Sequence, residues 1–426
     1  MKRDLFYLRG DLFGFGWLFW IWLLASAGLL LWTWRRNGSR EALGYLPVLA
    51  IAGAAIVWVL PNLVGEQGLP IRGYGAMLVM GIVSGAWLAT SLGRRMGVDS
   101  EIILGMAFWV FLCGIAGARL FYVAEYWQEF QGVSRWETLK ALLNVTEGGL
   151  VVYGGAIGGF SAMAIYLLWY RLPALAIADL TAPAIGLGLF FGRIGCFLNG
   201  CCYGGATELP WGVCFPPGSP PFVHQLQAGK IGVQGLRFGT QLDGPAEIAE
   251  VTAGSQAEQA GLQAGQRITI IDGKPIDSAR QAEAALMHVQ AGEELAINIA
   301  DERVPRSWRV TAVTDRSHAV HPTQLYSSLD GLVLCWFLLA FYPYRQRDGE
   351  VFAWLLTIYP ITRFLIEAIR DDEGAVRGTG LTISQNVSLV CLAIAAALWI
   401  YIRTKPTGSV LPASIPAGQR AGHGVG

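Results

Sequence analysis

With 426 residues, 53% of them hydrophobic and only 15% charged, the chain is too apolar for an ordinary soluble domain. Its 31 basic side chains balance 31 acidic ones, which excludes a nucleic-acid polyanion as the main partner. Seven cysteines over this length are too few for a disulfide scaffold, so lipid is the expected solvent for most of the chain.

About 20 apolar residues cross the hydrocarbon core. Nine stretches reach that length, roughly 13–33, 44–62, 71–93, 102–122, 150–170, 178–199, 325–344, 350–370 and 383–403. The first follows a basic start but is long for a signal-peptide core and lacks a small-residue cleavage site, so it reads as a retained span. Arg35, Arg36 and Arg40, then Arg94 and Arg95, Arg171, Arg345 and Arg347, and last Arg403 and Lys405 fall on alternate sides of the spans in one phase. The positive-inside rule places them in the cytoplasm, with the N-terminus outside and the C-terminus inside. Lys2, Arg3 and Arg9 pull weakly the other way. The Pro/Gly/Ala-rich stretch 404–426 is expected to be a disordered cytoplasmic tail.

The loop between Gly200 and Val320 then lies outside, and within it the composition turns polar. After an extracytoplasmic loop at 206–231, residues 232–315 carry alternating segments, "AEIAEV", "RITIID" and "LAINIA", with a helix-like "SARQAEAALMHV" between the last two. The order "GLRFG", "AEQAGLQAGQRI" and "IDGKPI" resembles a PDZ domain. That resemblance implies an edge strand that takes an extended peptide, with Gly235, Leu236, Arg237 and Phe238 at the carboxylate-binding loop and a peptide or protein as ligand. A small domain that only packs on the membrane part is the alternative.

Polar residues share one depth in the membrane. Arg193 lies six residues below the outer end of its span, about 9 Å at helical rise. Arg363 and Arg119 lie at comparable depth in other outward-running spans, while Arg72, Tyr74, Tyr153, Gly154, Gly155 and His321 open inward-running ones. Glu367 follows Arg363 by four positions and Arg370 follows Glu367 by three, so the three can pair on one helix face. The arginines still outnumber the acids, and surplus positive charge in low dielectric calls for an anion. Guanidinium forks suit phosphate, so an anionic phospholipid is the expected ligand, with a purely structural ion-pair cluster as the alternative.

Across roughly 71–205 and 316–403 the pieces "RGYGAM", "GARLFYV", "YGGAIGG", "GRIGCFLNG", "HPTQLY" and "RFLIEAIR", in this order, resemble the bacterial prolipoprotein diacylglyceryl transferase family. The resemblance implies a seven-span enzyme that moves diacylglyceryl from phosphatidylglycerol to the lipobox cysteine of a preprolipoprotein and releases glycerol phosphate. Residues 1–70 would add two N-terminal spans. The whole is expected to be an all-α polytopic protein of the bacterial inner membrane, with about nine spans around a seven-helix family core and an inserted α+β PDZ-like domain outside. The implied catalytic residues are Arg193, Arg363, Tyr153, His321 and Glu367. Tyr74, Arg72, Arg119, Gly154, Gly155, Asn199, Gly204 and Arg370 would bind substrate. Two departures stand out: Tyr153 occupies the place of a motif histidine that is a candidate base, and "GRIGCFLNGCC" has Cys196 and Cys201 where the motif has asparagine and glutamate. The base is therefore open among Tyr153, His321 and Glu367, and a paralogue with another acceptor or a non-catalytic lipid-binding scaffold are the rival readings.

For Cys196, Cys201 and Cys202, packing plus one disulfide from Cys214 to Cys201 or Cys202 is expected. A nucleophilic cysteine beside Arg193 is a further reading. Zinc would want four ligands and finds only His224 to add, so neither a metal nor a cofactor is called for.

Overall fold

A computed structural model describes residues 4–8, 15–39, 46–54, 56–57, 69–130, 138, 141–142, 149, 151–239, 241–300, 302, 304–311, 316–371, 374–376 and 378–411. Among them, seven helices are long and apolar enough to cross a membrane, where the sequence offered nine stretches. Part of 44–62 lies outside the described residues and the rest holds the short helix Leu46–Ala54; 350–370 holds the unbroken helix Glu350–Glu367, which carries three charges, Glu350, Arg363 and Glu367. Chain order gives strand β1 (Asp4–Leu8), helices α1 (Phe15–Asn37) and α2 (Leu46–Ala54), strand β2 (Leu69–Arg72), then α3 (Gly73–Arg95), α4 (Ser100–Glu125), α5 (Val152–Trp169) and α6 (Ala174–Asn199). After the inserted segment come α7 to α9 of that segment, described below, and then α10 (Thr323–Phe341), α11 (Glu350–Glu367) and α12 (Ile383–Arg403). Helix α3 packs along α6, α4 along α5, α6 along α10 and α11 along α12. Large apolar side chains such as Trp87, Leu120, Trp169, Trp336 and Ile400 point outward and are exposed, as lipid-facing positions are.

Local chemistry fixes the ends. The Asp99 carboxylate accepts the Glu101 N–H at 3.1 Å to start α4. Thr382 and Gln385 form a reciprocal capping box at the start of α12. Asp179, buried in the second turn of α6, accepts the N–H groups of Gly349 and Phe352 at 2.7 and 2.9 Å, so one helix caps another. Where α4 crosses α5, a Cβ on Gly154 would stand 2.4 Å from the Gly117 carbonyl oxygen, so this backbone approach needs glycine.

The inserted segment has its own hydrophobic core. Helix α7 (Pro220–Gln227) precedes a two-stranded pair, β3 (Leu236–Phe238) with β4 (Ile248–Val251). Helix α8 (Gln256–Gln259), strands β5 (Ile268–Ile271) and β6 (Lys274–Pro275), helix α9 (Ala279–Met287) and strands β7 (Glu294–Ile299) and β8 (Arg306–Arg309) follow. The last four strands form an antiparallel sheet in the order β6-β5-β7-β8. Leu236, Ile248, Ile268, Leu286 and Leu295 fill the core, and Phe222 and Leu226 of α7 join it, so the packed unit begins before residue 232. Residues 404–411 are ordered, contrary to expectation: Gly408 N–H donates to the Gln346 carbonyl, Val410 N–H to Asp348, and Leu411 is buried. Residues 412–426 of the expected tail lie outside the described ones.

Candidate active site

The polar residues of separate helices meet at one end of the bundle. Tyr153, in the first turn of α5, places its hydroxyl 3.4 Å from Ser384 Oγ in the first turn of α12. Arg363 Nη2 donates to the same oxygen at 2.8 Å, while its Nη1 sits 2.5 Å from Glu367 Oε2. Arg370 Nη1 donates to that carboxylate oxygen at 2.9 Å. Glu367 is fully buried, and Arg370 and Arg363 are 4% and 13% exposed. Arg193, one helix over on α6, bonds to Tyr359 of α11 and feels the Arg363 charge. Three guanidinium groups thus stand against one carboxylate inside a low-dielectric bundle, an arrangement that favours an anion.

Beside them runs the strap after α6. Gly200 turns left-handed to end the helix, and Cys202 also holds a positive φ of 58°. Two buried residues of α10 pin it: Gln324 Nε2 donates to the Cys201 carbonyl and Thr323 Oγ1 to the Cys202 carbonyl, both at 2.7 Å. Gly204 N–H then donates to the His321 carbonyl at 2.9 Å and its backbone pairs with Arg370. A Cβ on Gly204 would lie 2.6 Å from that of His321, so only glycine passes here. The three sulfur atoms of Cys196, Cys201 and Cys202 lie within 4.8 Å of one another. All seven cysteines are free and Cys214 is exposed, so the expected rim disulfide is absent.

Below this polar layer lies an apolar cavity of about 470 Å³ between α3, α4, α5 and α6. Its upper wall holds Leu78, Ala156 and Gly188, each within about a turn and a half of Tyr74, Tyr153 and Arg193 respectively; Ala89, Ile103 and Met106 line its far end. From Leu78 to Ala89 it runs roughly 16 Å along α3, most of the length of an extended acyl chain.

The family model for prolipoprotein diacylglyceryl transferase matches residues 61–401. The phosphatidylglycerol–prolipoprotein diacylglyceryl transferase of Rhodopirellula baltica is 33% identical over 96% of this chain and 90% of its own length. The chain belongs to the prolipoprotein diacylglyceryl transferase family. The enzyme of that name from Clostridium tetani is 27% identical over 77% of the chain and 91% of its own length. The aligned span of the Rhodopirellula protein takes in the inserted segment as well as the membrane core.

Against the family pattern, the structure gathers Tyr153, Arg363, Glu367 and Arg370 through Ser384, with Arg193 adjoining. Tyr74 lies within electrostatic reach of Arg193 and the three cysteines, and Asn199 bonds to Cys201. His321 joins by its backbone, but its ring faces Tyr326, with Nδ1 3.4 Å from a hydroxyl that also accepts from Trp211. Arg119 donates to the carbonyls of Ala141, Leu142 and Gly149 and lies over the Tyr122 and Phe130 rings, so its visible work is to hold those three backbone positions. Gly154 and Gly155 serve the α4–α5 contact, and Arg72 stands exposed at the start of α3. In the inserted unit Gly235 holds a left-handed turn, the Leu236 N–H donates to the Val233 carbonyl, and Arg237 pairs with Glu250 across β3 and β4. Sequence reasoning missed Ser384, Tyr359, Thr323 and Gln324. Two signals pointed to them: "TISQ" is a capping box that sets Ser384 in a first turn, and Tyr359 precedes Arg363 by one turn.

Proposed function

We propose that the chain transfers the diacylglyceryl group of phosphatidylglycerol to the lipobox cysteine thiol of a preprolipoprotein. The observation that carries this is the cationic layer of Arg193, Arg363 and Arg370 set directly above the apolar cavity. A phospholipid fits such a pair with its phosphate among the guanidinium groups and an acyl chain below. The acceptor thiol gives its proton to solvent and its sulfur attacks the glyceryl carbon, that carbon's bond to the phosphate oxygen breaks, and glycerol phosphate leaves with the electron pair. Arg193 and Arg363 offset the charge that grows on the leaving group, where a water-poor setting makes each donor count most.

The inserted unit reads as a PDZ-like module on the extracytoplasmic side of the bacterial inner membrane, with the C-terminus in the cytoplasm. In support, β3 pairs with β4 and turns back on itself through the Leu236–Val233 bridge, and α9 joins the chain beyond β3 through the Ala279 and Arg280 N–H groups. Strand addition beside β3 would take an extended peptide of a protein substrate or partner. Strand β1 pairs with β2 at the start of α3, at the same end as the site, which supports an outer N-terminus.

The test is direct: full chain in phosphatidylglycerol vesicles with a lipobox peptide. A peptide mass gain of one diacylglyceryl group with matching glycerol phosphate release is expected, falling at least about 100-fold in Arg363→Ala. Stable, folded chain that yields neither product would overturn the reading.

A further inference from the structure

Transfer through Arg193 and Arg363 leaves Cys196, Cys201 and Cys202 without a role. Three features make them more than packing. Their sulfur atoms converge to within 4.8 Å, against about 3.8 Å for thiolates around a tetrahedral zinc at Zn–S of about 2.3 Å, a gap that small χ1 changes close. The strap is held in a costly shape, with left-handed Gly200 and Cys202 on either side of Cys201. A left-handed non-glycine residue costs on the order of 1–3 kcal/mol and persists only where its surroundings impose it. Here Thr323 and Gln324, both buried, clamp the carbonyls of Cys202 and Cys201. Finally, Arg193 and Tyr74 sit within electrostatic reach of the cluster, so the thiols border the place where the phosphate is held.

We propose that Cys196, Cys201 and Cys202 form a three-thiolate zinc site whose fourth position takes the acceptor's cysteine. Counting Cys214 and His224 as the missing ligands gives no such site from sequence, and in the structure neither joins the three sulfurs; the His224 ring lies against Tyr203 instead. Three protein ligands with one position open is the pattern of catalytic rather than structural zinc. Zinc bound by three thiolates carries one net negative charge, which Arg193 offsets. The chemistry answers the family departure at Tyr153: a metal-bound thiol is deprotonated without a histidine base.

The step, which rests on the transferase reading above, balances without redox change. The acceptor's S–H loses its proton to solvent as sulfur binds zinc. A sulfur lone pair then forms the C–S bond to the glyceryl carbon, while the C–O bond to phosphate breaks and its electron pair departs with glycerol phosphate. The thioether product is a poorer ligand and leaves, and zinc remains divalent.

The test uses the full chain in detergent or nanodiscs, purified under reducing conditions and loaded with Zn2+ or Co2+. One zinc per chain is expected; Cys196→Ser and Cys202→Ser should bind at least about 100-fold more weakly, and Cys214→Ser as native. Thermal unfolding of each variant separates lost ligation from lost fold, and because the strap is pinned through backbone carbonyls, serine is expected to leave it in place. With cobalt bound, a lipobox peptide should raise the thiolate-to-metal charge-transfer absorption by about a third, and its Cys→Ser form should not. A reduced, folded chain that binds no zinc, a disulfide within the trio in the native chain, or a cobalt spectrum indifferent to the peptide would each overturn the proposal. Transfer is scored separately. Full turnover after chelation would refute the metal step and keep the transferase reading, whereas no turnover with a peptide-responsive cobalt site would do the reverse.

Discussion

Glu367 holds Arg363 and Arg370 on one carboxylate oxygen, so the substitution that matters most in this cluster is the one that removes the acid. Glu367→Gln leaves two buried guanidinium groups without their shared counter-charge, a loss of about 3–5 kcal/mol for a buried pair. The expected outcome is a lower unfolding temperature in nanodiscs together with lost transfer, whereas Arg193→Ala should lose transfer with little change in unfolding. Gly204→Ala puts a methyl 2.6 Å from the His321 Cβ and should cost about 1–3 kcal/mol, read by the same unfolding assay. The charged members of this site were legible in the sequence because an arginine or glutamate inside an apolar run has no bland explanation at that depth. Ser384, Tyr359 and Gln324 were not, since uncharged polar residues are ordinary in such helices. Their meaning depends on which neighbouring helix they face, and one chain without its packing does not reveal that.

At the level of elements, spans declare themselves by length and apolar content, and the N-terminal and core helices follow that signal. Helix α11 is the instructive exception, because two of the charges in its apolar run, Arg363 and Glu367, belong to the candidate site. Helix crossing was less legible: "YGGAIGG" announced a close approach but not that α4 would be the partner. Gly154→Leu is expected to prise α4 from α5 and reduce the yield of folded protein, as measured by detergent-resistant monomer on size exclusion. In the inserted unit, burial pushes the Glu283 carboxyl above the usual range, with Arg280 partly opposing it. The folded form then holds this proton more tightly than the unfolded chain, so its stability falls as pH rises from the ordinary carboxylate range through the raised value. Glu283→Gln, lacking that proton equilibrium, should unfold at a higher temperature than native at pH 8 and lose this advantage at pH 4.

The whole molecule sets a charged layer over an apolar cavity and hangs a separately cored unit beside it, inserted between α6 and α10. The two chain ends of that unit are tied to each other, His318 N–H donating to Gln225 and Phe215 N–H to Ser317. Excision of residues 219–313 with a short linker, which removes α7 together with the core it packs into, is expected to slow processing of full-length prolipoprotein while sparing a short lipobox peptide. Equal rates on both would show that the unit has no part in recruiting substrate. The architecture of core plus insertion was readable from composition alone; the convergence of three thiols was not, because it depends on a strap conformation that only α10 imposes. Complementation shows whether the cationic layer serves diacylglyceryl transfer. The chain and its Arg193→Ala form are expressed in bacteria depleted of their own transferase, and prolipoprotein processing is followed by gel shift. Processing is expected to return with the native chain and to fail with Arg193→Ala at equal membrane abundance. A native chain that inserts stably and restores no processing, or an Arg193→Ala chain that restores it fully, would contradict it.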